Sequence, residues 1–401
     1  MRRKRIAAVI GTRPEAIKMA PVILELKKVP EIETMVVSTA QHRQMLDQIL
    51  PLFNIESDLD LDIMRPNQTL SGLTARVLAM MDRTIRDVKP DIMLVQGDTT
   101  TVLSCALSAF YNHIPVGHIE AGLRSYDLKN PFPEEANRHL ASVLTHIHFA
   151  PTSLAKDNLK EEGVADSNIF VTGNTVVDAL MYHLNTPFDF LQSPLAHIPF
   201  NNKRVLLVTS HRRESWGEDL FNICTAIKEL VRRYSDVIAI YPVHLNPNVR
   251  KTVLEILANQ ERIYLTEPLP YLAFINAMKL ASIIVTDSGG VQEEAPSLET
   301  PVLVLRKLTE RPEAMLSGTS KVIGTSSEDI IREVSCLLSD GDAYAKMATG
   351  QNPFGDGQAG KRIVNALLRW CKGHSPLLGD DEQFISPGMK TEKGPVPHAH
   401  G

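Results

Sequence analysis

Residues 91–101, DIMLVQGDTTT, hold the transition on which the reading of the fold turns. Ile92 to Val95 are apolar without a break, and Gln96-Gly97-Asp98 ends the run. Three threonines follow, then VLSCALSAF, which has helical character. An apolar run, a sharp turn, a polar cap and a helix make a strand-to-helix junction. Asp98 therefore falls just past the carboxyl end of a strand that reads as fully buried. In open α/β sheets that edge is where ligands bind. Asp98 is either a cap for the next helix or a working acid.

The same alternation extends in both directions. The first half offers RIAAVIGT, ETMVVSTA, IPVGHIEAG, THIHFAPT and NIFVTGN; the second offers RVLLVTSH, DVIAIYPVH, RIYLTEPL, SIIVTDSGG and PVLVLR. Runs that are apolar throughout and separated by helices point to parallel sheets covered on both faces. Two such series predict an α/β protein of two doubly wound domains, residues 1–174 and 204–358. Between them, 175–203 contains NTPFDFLQSPLAHIPFNNK, rich in Pro and Asn, and reads as a linker. Residues 374–401 lose all periodicity and are expected to be a disordered tail. His398 and His400 lie in it, and no metal role is expected of them.

Composition narrows the function classes. The chain has 401 residues, 43% hydrophobic and 22% charged, which is the globular class and long enough for two cores. A net charge of −5 leaves no nucleic-acid footprint. After MRRKR the apolar run IAAVIG is too short for a signal-peptide core, and no stretch is long enough to span a membrane. The four cysteines, Cys105, Cys224, Cys336 and Cys371, are scattered without a C-x-x-C, so neither a disulfide framework nor a zinc site is expected. That usage suits the cytoplasm.

Each strand end carries its own chemistry. GTRPEAIK lacks the glycine and the Gly-Lys-Ser/Thr ending of a P-loop, and the chain has no G-x-G-x-x-G. What remains is Pro14 at a helix start with Arg13 and Lys18 beside it, a place that favours an anion if these are not merely solvated surface cations. Glu120 ends another apolar strand, where it is a loop acid or a partner of Arg124. In PFPEEANRHL, Pro133 is placed for the first helical position, with Glu134 and Glu135 in the first turn. Singly, each acid reads as structural. Together Asp98, Glu120 and Glu134 gather at one sheet edge, where clustered carboxylates shift one another's pKa as proton-transfer work requires.

The second half differs. His211 follows one strand in VTSHRRESWG and His244 another in YPVHLNP, each open to a structural reading as a hydrogen-bonding histidine. In TDSGGVQEEAPSL a strand ends, Ser288-Gly289-Gly290 turns, and a helix is expected from about Val291. Bare N–H groups there can approach a pyrophosphate. Glu294 lies one turn on, placed for ribose hydroxyls, and Arg306, Lys307 and Arg311 follow the next strand. One half thus holds an acid cluster and the other a nucleotide-phosphate site, which a cleft between the domains would join.

The ordered motifs GTRPEAIKMAP, QGDTTT, GHIEAGLRS, PFPEEANR, VTGNTVVDAL, SHRRESWG, YPVHLNPNV, TDSGGVQEEAPSL, TERPEA and NPFGDGQA run from about Ile6 to Trp370. In them the chain closely resembles the non-hydrolysing UDP-N-acetylglucosamine 2-epimerases of bacteria. The resemblance implies a GT-B fold, two Rossmann-like domains with the active site between them. It also implies a final helix within 359–373 that returns to the first domain, and a homodimer. The implied reaction interconverts UDP-GlcNAc and UDP-ManNAc for cell-surface polysaccharide, by eliminating UDP to 2-acetamidoglucal and adding it back. Neither NAD nor a metal is implied.

Motif by motif, the resemblance assigns Asp98, Glu120 and Glu134 as acids, with Arg13, Lys18 and His211 neutralising the diphosphate. Ser288, Gly289, Gly290, Glu294 and Arg311 become UDP contacts, and Phe274 lines the uracil pocket. It further implies a regulatory UDP-GlcNAc site from Gln41, His42, Gln44, Arg213 and His244. Against that stands Asn67, where regulated relatives carry arginine. The alternatives are a GT-B glycosyltransferase, a hydrolysing epimerase, and a module that binds a UDP-sugar without turnover.

Overall fold

The computed structural model describes residues 2–40, 46, 48–65, 68–212, 216–307, 309 and 311–387. Seven parallel strands form the first sheet: β1 Lys4–Ile10, β2 Ile32–Ser38, β3 Leu59–Asp60, β4 Ile92–Gln96, β5 Val116–Ile119, β6 Ile147–Ala150 and β7 Ile169–Val171. Their order is β3-β2-β1-β4-β5-β6-β7. Six more form the second: β8 Arg204–Thr209, β9 Val237–Pro242, β10 Ile263–Thr266, β11 Ile283–Thr286, β12 Val302–Val304 and β13 Ser320–Val322. These run β10-β9-β8-β11-β12-β13, again all parallel. The expected fold class is observed: two Rossmann-like parallel-sheet domains of GT-B type.

The central strands are apolar on both faces because helices cover both. Ile6, Ala8 and Ile10 on one side of β1 and Val9 on the other are all buried. Strand order reverses between β1 and β4 in one sheet and between β8 and β11 in the other. The loops after these four strands are therefore the switch-point loops, where the carboxyl edge opens a crevice. They are Gly11–Thr12, Gly97–Thr99, the loop that begins with Ser210–Arg212, and Asp287–Ser288. Among the described residues no helix is long and apolar enough to cross a membrane.

Two expectations about connections need correction. The segment read as a linker opens with a buried helix, Thr175–His183, whose Val176, Val177 and Leu180 join the main core. It packs against the helices Arg13–Lys27 and Gly289–Glu294, and so binds the two domains together. The region read as a disordered tail is ordered as far as residue 387. Leu378 and Phe384 are buried, Phe384 N–H donates to Val171 O at 2.8 Å, and Gln383 Oε1 accepts from Val171 N at 2.9 Å. Arg369 closes the segment through a fork onto Glu382 at 2.6 and 2.7 Å. Residues 388–401, including His398 and His400, lie outside the described residues.

The helix Ala359–Cys371 lies on the first-domain helix Arg13–Lys27. Gly360 permits the approach: a Cβ there would stand 3.2 Å from Pro21 O. Asp178 caps this helix from outside, accepting Gly360 N–H at 2.8 Å and Ala359 N–H at 3.2 Å.

Candidate active site

The first-domain wall begins at the turn after β1. Glu15 reaches back along its own helix and accepts Gly11 N–H at 2.6 Å and Thr12 N–H at 3.2 Å, the reciprocal half of a capping box. Its other oxygen accepts the Thr99 hydroxyl at 2.6 Å, tying the β1 loop to the β4 loop. Gly11 is needed for that closeness, since a Cβ would come within 2.6 Å of the hydroxyls of Thr39 and Thr101. Burial pushes the Glu15 carboxyl up to about 7, against the pull of these hydrogen bonds.

Position decides against the capping reading of Asp98. Thr99, not Asp98, caps the helix Thr100–Tyr111, its hydroxyl accepting Val102 N–H at 3.4 Å. The Asp98 carboxylate instead takes Arg138 Nε at 3.0 Å and Nη2 at 2.8 Å, and its carbonyl accepts Asn137 Nδ2 at 2.8 Å. From below, His118 Nε2 lies 2.7 Å from Gly97 O. A carbonyl only accepts, so that nitrogen carries the proton. Burial lowers the His118 pKa to about 4, which keeps the ring neutral.

Glu120 follows β5 with φ +64°, the left-handed region that a non-glycine residue occupies at a cost of roughly 1–2 kcal/mol. Its carboxylate pairs with Lys18 Nζ, while Arg124, the alternative partner, binds Glu162 at 2.6 Å. Burial raises the Glu120 pKa, and Lys18 opposes the rise. Glu134 is the first residue of the helix Glu134–Leu144, with Pro133 at the cap one position earlier than expected. Burial, then the nearby charge of Asp98, raises its pKa. Asp98 and Glu134 thus share one pocket of field, and Glu120 belongs to a second group around Lys18.

Lys18 joins the walls. Its ammonium bonds Glu293 Oε2 of the second domain at 3.0 Å as well as Glu120, and Arg311 Nε bonds Glu293 Oε1 at 2.6 Å. Burial works against the Lys18 charge, but the two carboxylates outweigh it and hold its pKa above the ordinary lysine value. For Glu293, burial acts to raise the pKa and the two cations overcome it, holding it below the usual range. Arg13 Nη2 adds a long contact to Leu269 O at 3.5 Å, and Thr152 donates to Glu313 at 2.7 Å.

On the second-domain wall the helix Gly289–Glu294 starts two residues earlier than expected, with Ser288 at its cap. Arg311 Nη2 stands 3.4 Å from where a Gly289 Cβ would be, so the bare turn and a guanidinium face the same space. Glu294 is buried and accepts the Tyr271 hydroxyl at 3.2 Å. Burial and the neighbouring Glu293 push it up to about 7. Phe274 packs half-buried on the core. His211 follows β8, its ring stacked on His244 at 5.7 Å. Of the residues expected at the regulatory site, His244 is therefore beside His211; Gln41, His42, Gln44 and Arg213, with Asn67, lie outside the described residues.

The sequence reading missed Glu15, His118, Arg138, Asp287 and Glu293. Two had signals. Thr12 and Glu15 form a T-x-x-E box ahead of an apolar helix, and Asp287 ends SIIVTD much as Asp98 ends its own strand run. Arg138 and Glu293 show their role only through partners distant in sequence.

A family profile described as UDP-N-acetylglucosamine 2-epimerase matches residues 24–368. A curated relative of that name from Bacillus subtilis is 50% identical over 368 residues, 92% of this chain and 96% of the relative. Another from Escherichia coli K12 is 50% identical over 90% of this chain and 98% of its own length. The crystal structure of UDP-GlcNAc 2-epimerase from Neisseria meningitidis, bound to UDP-GlcNAc, superposes with a TM-score of 0.87 at 49% identity, covering 91% of this chain and all of that one. A putative UDP-N-acetylglucosamine 2-epimerase from Listeria monocytogenes gives 0.89 at 45% identity, over 96% of this chain and 100% of its own. With half its residues shared across nearly its whole length and the same two-domain architecture, the chain belongs to the UDP-N-acetylglucosamine 2-epimerase family.

Proposed function

We propose that the protein interconverts UDP-GlcNAc and UDP-ManNAc without net hydrolysis, by elimination and re-addition of UDP. The observation that carries the reading is the two-sided cleft. Carboxyl groups stand on the first-domain loops, and the glycine turn with Arg311 stands on the second, joined through Lys18. The C2 hydrogen of the sugar is not acidic, since no carbonyl adjoins it. When the C1–O bond breaks, its electron pair leaves with UDP and C1 gains oxocarbenium character. That eases loss of the C2 proton, giving 2-acetamidoglucal. Return of a proton to the other face and re-addition of UDP complete the inversion.

Two faces need two proton carriers, and a carboxyl group with a raised pKa can both take and return a proton. Glu120 and Glu134 have that property, and Asp98 lies beside Glu134. Arg13, Lys18, His211 and Arg311 are the cations for the diphosphate, and Glu294 and Phe274 line the nucleoside side. On this proposal the product supplies ManNAc units to cell-surface polysaccharide, and the enzyme works in the cytoplasm as a homodimer. Exposed Phe110, Tyr111, Leu140 and Val143 on two packed neighbouring helices support self-association. The proposal includes a second, regulatory UDP-GlcNAc site made by Gln41, His42, Gln44, Arg213 and His244, weakened by Asn67 where regulated relatives carry arginine.

Incubation with UDP-GlcNAc alone tests the class. UDP-ManNAc should appear while free UDP stays constant. Accumulating UDP would mean a hydrolysing enzyme, and an untouched substrate would leave a transferase lacking its acceptor, or a binding module; each result overturns the reading.

A further inference from the structure

Asp287 lies immediately before the Ser288-Gly289-Gly290 turn, apart from the residues that carry the proposed chemistry. It is fully buried. One oxygen, Oδ2, accepts three donors: Ser210 Oγ at 3.1 Å, His211 N–H at 2.7 Å and Arg212 N–H at 2.9 Å. The other, Oδ1, is buried without a hydrogen bond, yet His211 Nδ1 stands 3.1 Å away. A buried carboxylate oxygen left without a donor is costly. A ring N–H at Nδ1 of the 42% exposed imidazole removes that cost once turned onto Oδ1.

The surroundings make His211 the ring that serves this carboxylate. His244 stacks on it at 21° between planes, and its own Nδ1 is committed to accepting Asn246 N–H at 3.1 Å. Burial, then the neighbouring His211, lowers the His244 pKa, so the outer ring stays neutral. The Tyr241 hydroxyl donates to Ser210 O at 3.3 Å and steadies the loop from beneath. Arg212, also on this loop, has a field that reaches Glu134 across the cleft.

We infer that Asp287 is a positioning residue for His211: it holds the Nδ1–H tautomer and turns Nε2 outward, where the ring can carry a positive charge against the departing diphosphate. When C1–O breaks, the electron pair goes to the phosphate oxygen and the C2 proton to a first-domain carboxylate. His211 need transfer no proton; its charge offsets the charge gained by the leaving group. The inference deepens the epimerase reading and rests on it for the identity of the leaving group.

The test uses Asp287→Asn, an isosteric change. The amide oxygen can keep the three donors, but the amide nitrogen then faces His211 Nδ1 and forces it to be an acceptor. Nitrogen-15 spectra at about pH 8.5, where an ordinary imidazole is neutral, report the ring tautomer directly. The expected result is a protonated Nδ1 in the wild type and an unprotonated one in Asp287→Asn. Turnover and UDP affinity should each fall about 10- to 100-fold in the variant, the worth of one hydrogen bond to a charged group. Asp287→Asn/His211→Asn should be no slower than His211→Asn alone. An unprotonated Nδ1 in the wild type, or losses that multiply in the double variant, would overturn the inference. Because the wild-type tautomer is read without turnover, an unprotonated Nδ1 overturns the inference even if Asp287→Asn fails to fold or the wild type does not epimerise.

Discussion

Glu15, Glu120 and Asp98 show how single residues carry this site. Thr99 rather than Asp98 takes the capping role, and Glu120 is held at a positive φ that only its packed surroundings maintain. Asp98→Asn, Glu120→Gln and Glu134→Gln should each cut turnover by at least about a hundredfold with the fold intact. Near-normal kcat in any one of them removes that residue from the mechanism. Glu15 makes a separate prediction about pH. Its folded pKa, about 7, lies above the ordinary carboxylate value, so the folded state binds the extra proton. Its contribution to stability is complete below about pH 4.5 and is lost as pH rises through 7. Glu15→Gln mimics the protonated form and lacks this dependence. The wild type should therefore lose about 2–3 kcal/mol relative to Glu15→Gln between pH 4.5 and 7.5. Denaturant titrations at both pH values check it, and a constant difference contradicts it. The strand-end acids were legible because a long apolar run marks where the chain meets the crevice. Arg138 and Glu293 were not, because charge pairs closed by tertiary contact leave no local pattern.

At the scale of elements, the strands and their parallel order follow from unbroken apolar runs, and the misreadings lie where composition outvoted pattern. TVVDALMYH, residues 175–183, has apolar residues on a helical face, but the Pro- and Asn-rich stretch after it drew the whole segment into a linker. After Ser375 the apolar residues Leu377, Leu378 and Phe384 follow no period, because an irregular segment docks side chain by side chain. Phe384 is its main anchor, lying against Gly173 and 5.7 Å from the Arg362 guanidinium. Phe384→Ala should lower stability by about 3 kcal/mol, as large-to-small changes at buried aromatics do. A melting temperature unchanged from the wild type would show that the segment adds nothing to the fold.

At the scale of the molecule, the two sheets are alike in topology and divided in task. One lines its switch point with carboxyl groups and the other with a glycine turn and cations, and the ion network Glu120–Lys18–Glu293–Arg311 joins them. That division was readable from the motifs; the network that spans it needed the folded chain. If the regulatory site operates, UDP-GlcNAc binds the closed molecule preferentially and activates its own conversion. The reverse reaction from rigorously purified UDP-ManNAc should then lag until a trace of UDP-GlcNAc is added, and immediate turnover would dismiss the site while leaving the epimerase reading intact. In the proposed reaction the C2 proton leaves and returns while UDP departs and re-adds. Proton NMR of UDP-GlcNAc with the enzyme in deuterium oxide tests it most directly. The expected result is a growing UDP-ManNAc signal with deuterium at C2 in the product and, with time, in the substrate pool. UDP-ManNAc that retains protium at C2, or no exchange under conditions where UDP binds, would contradict it.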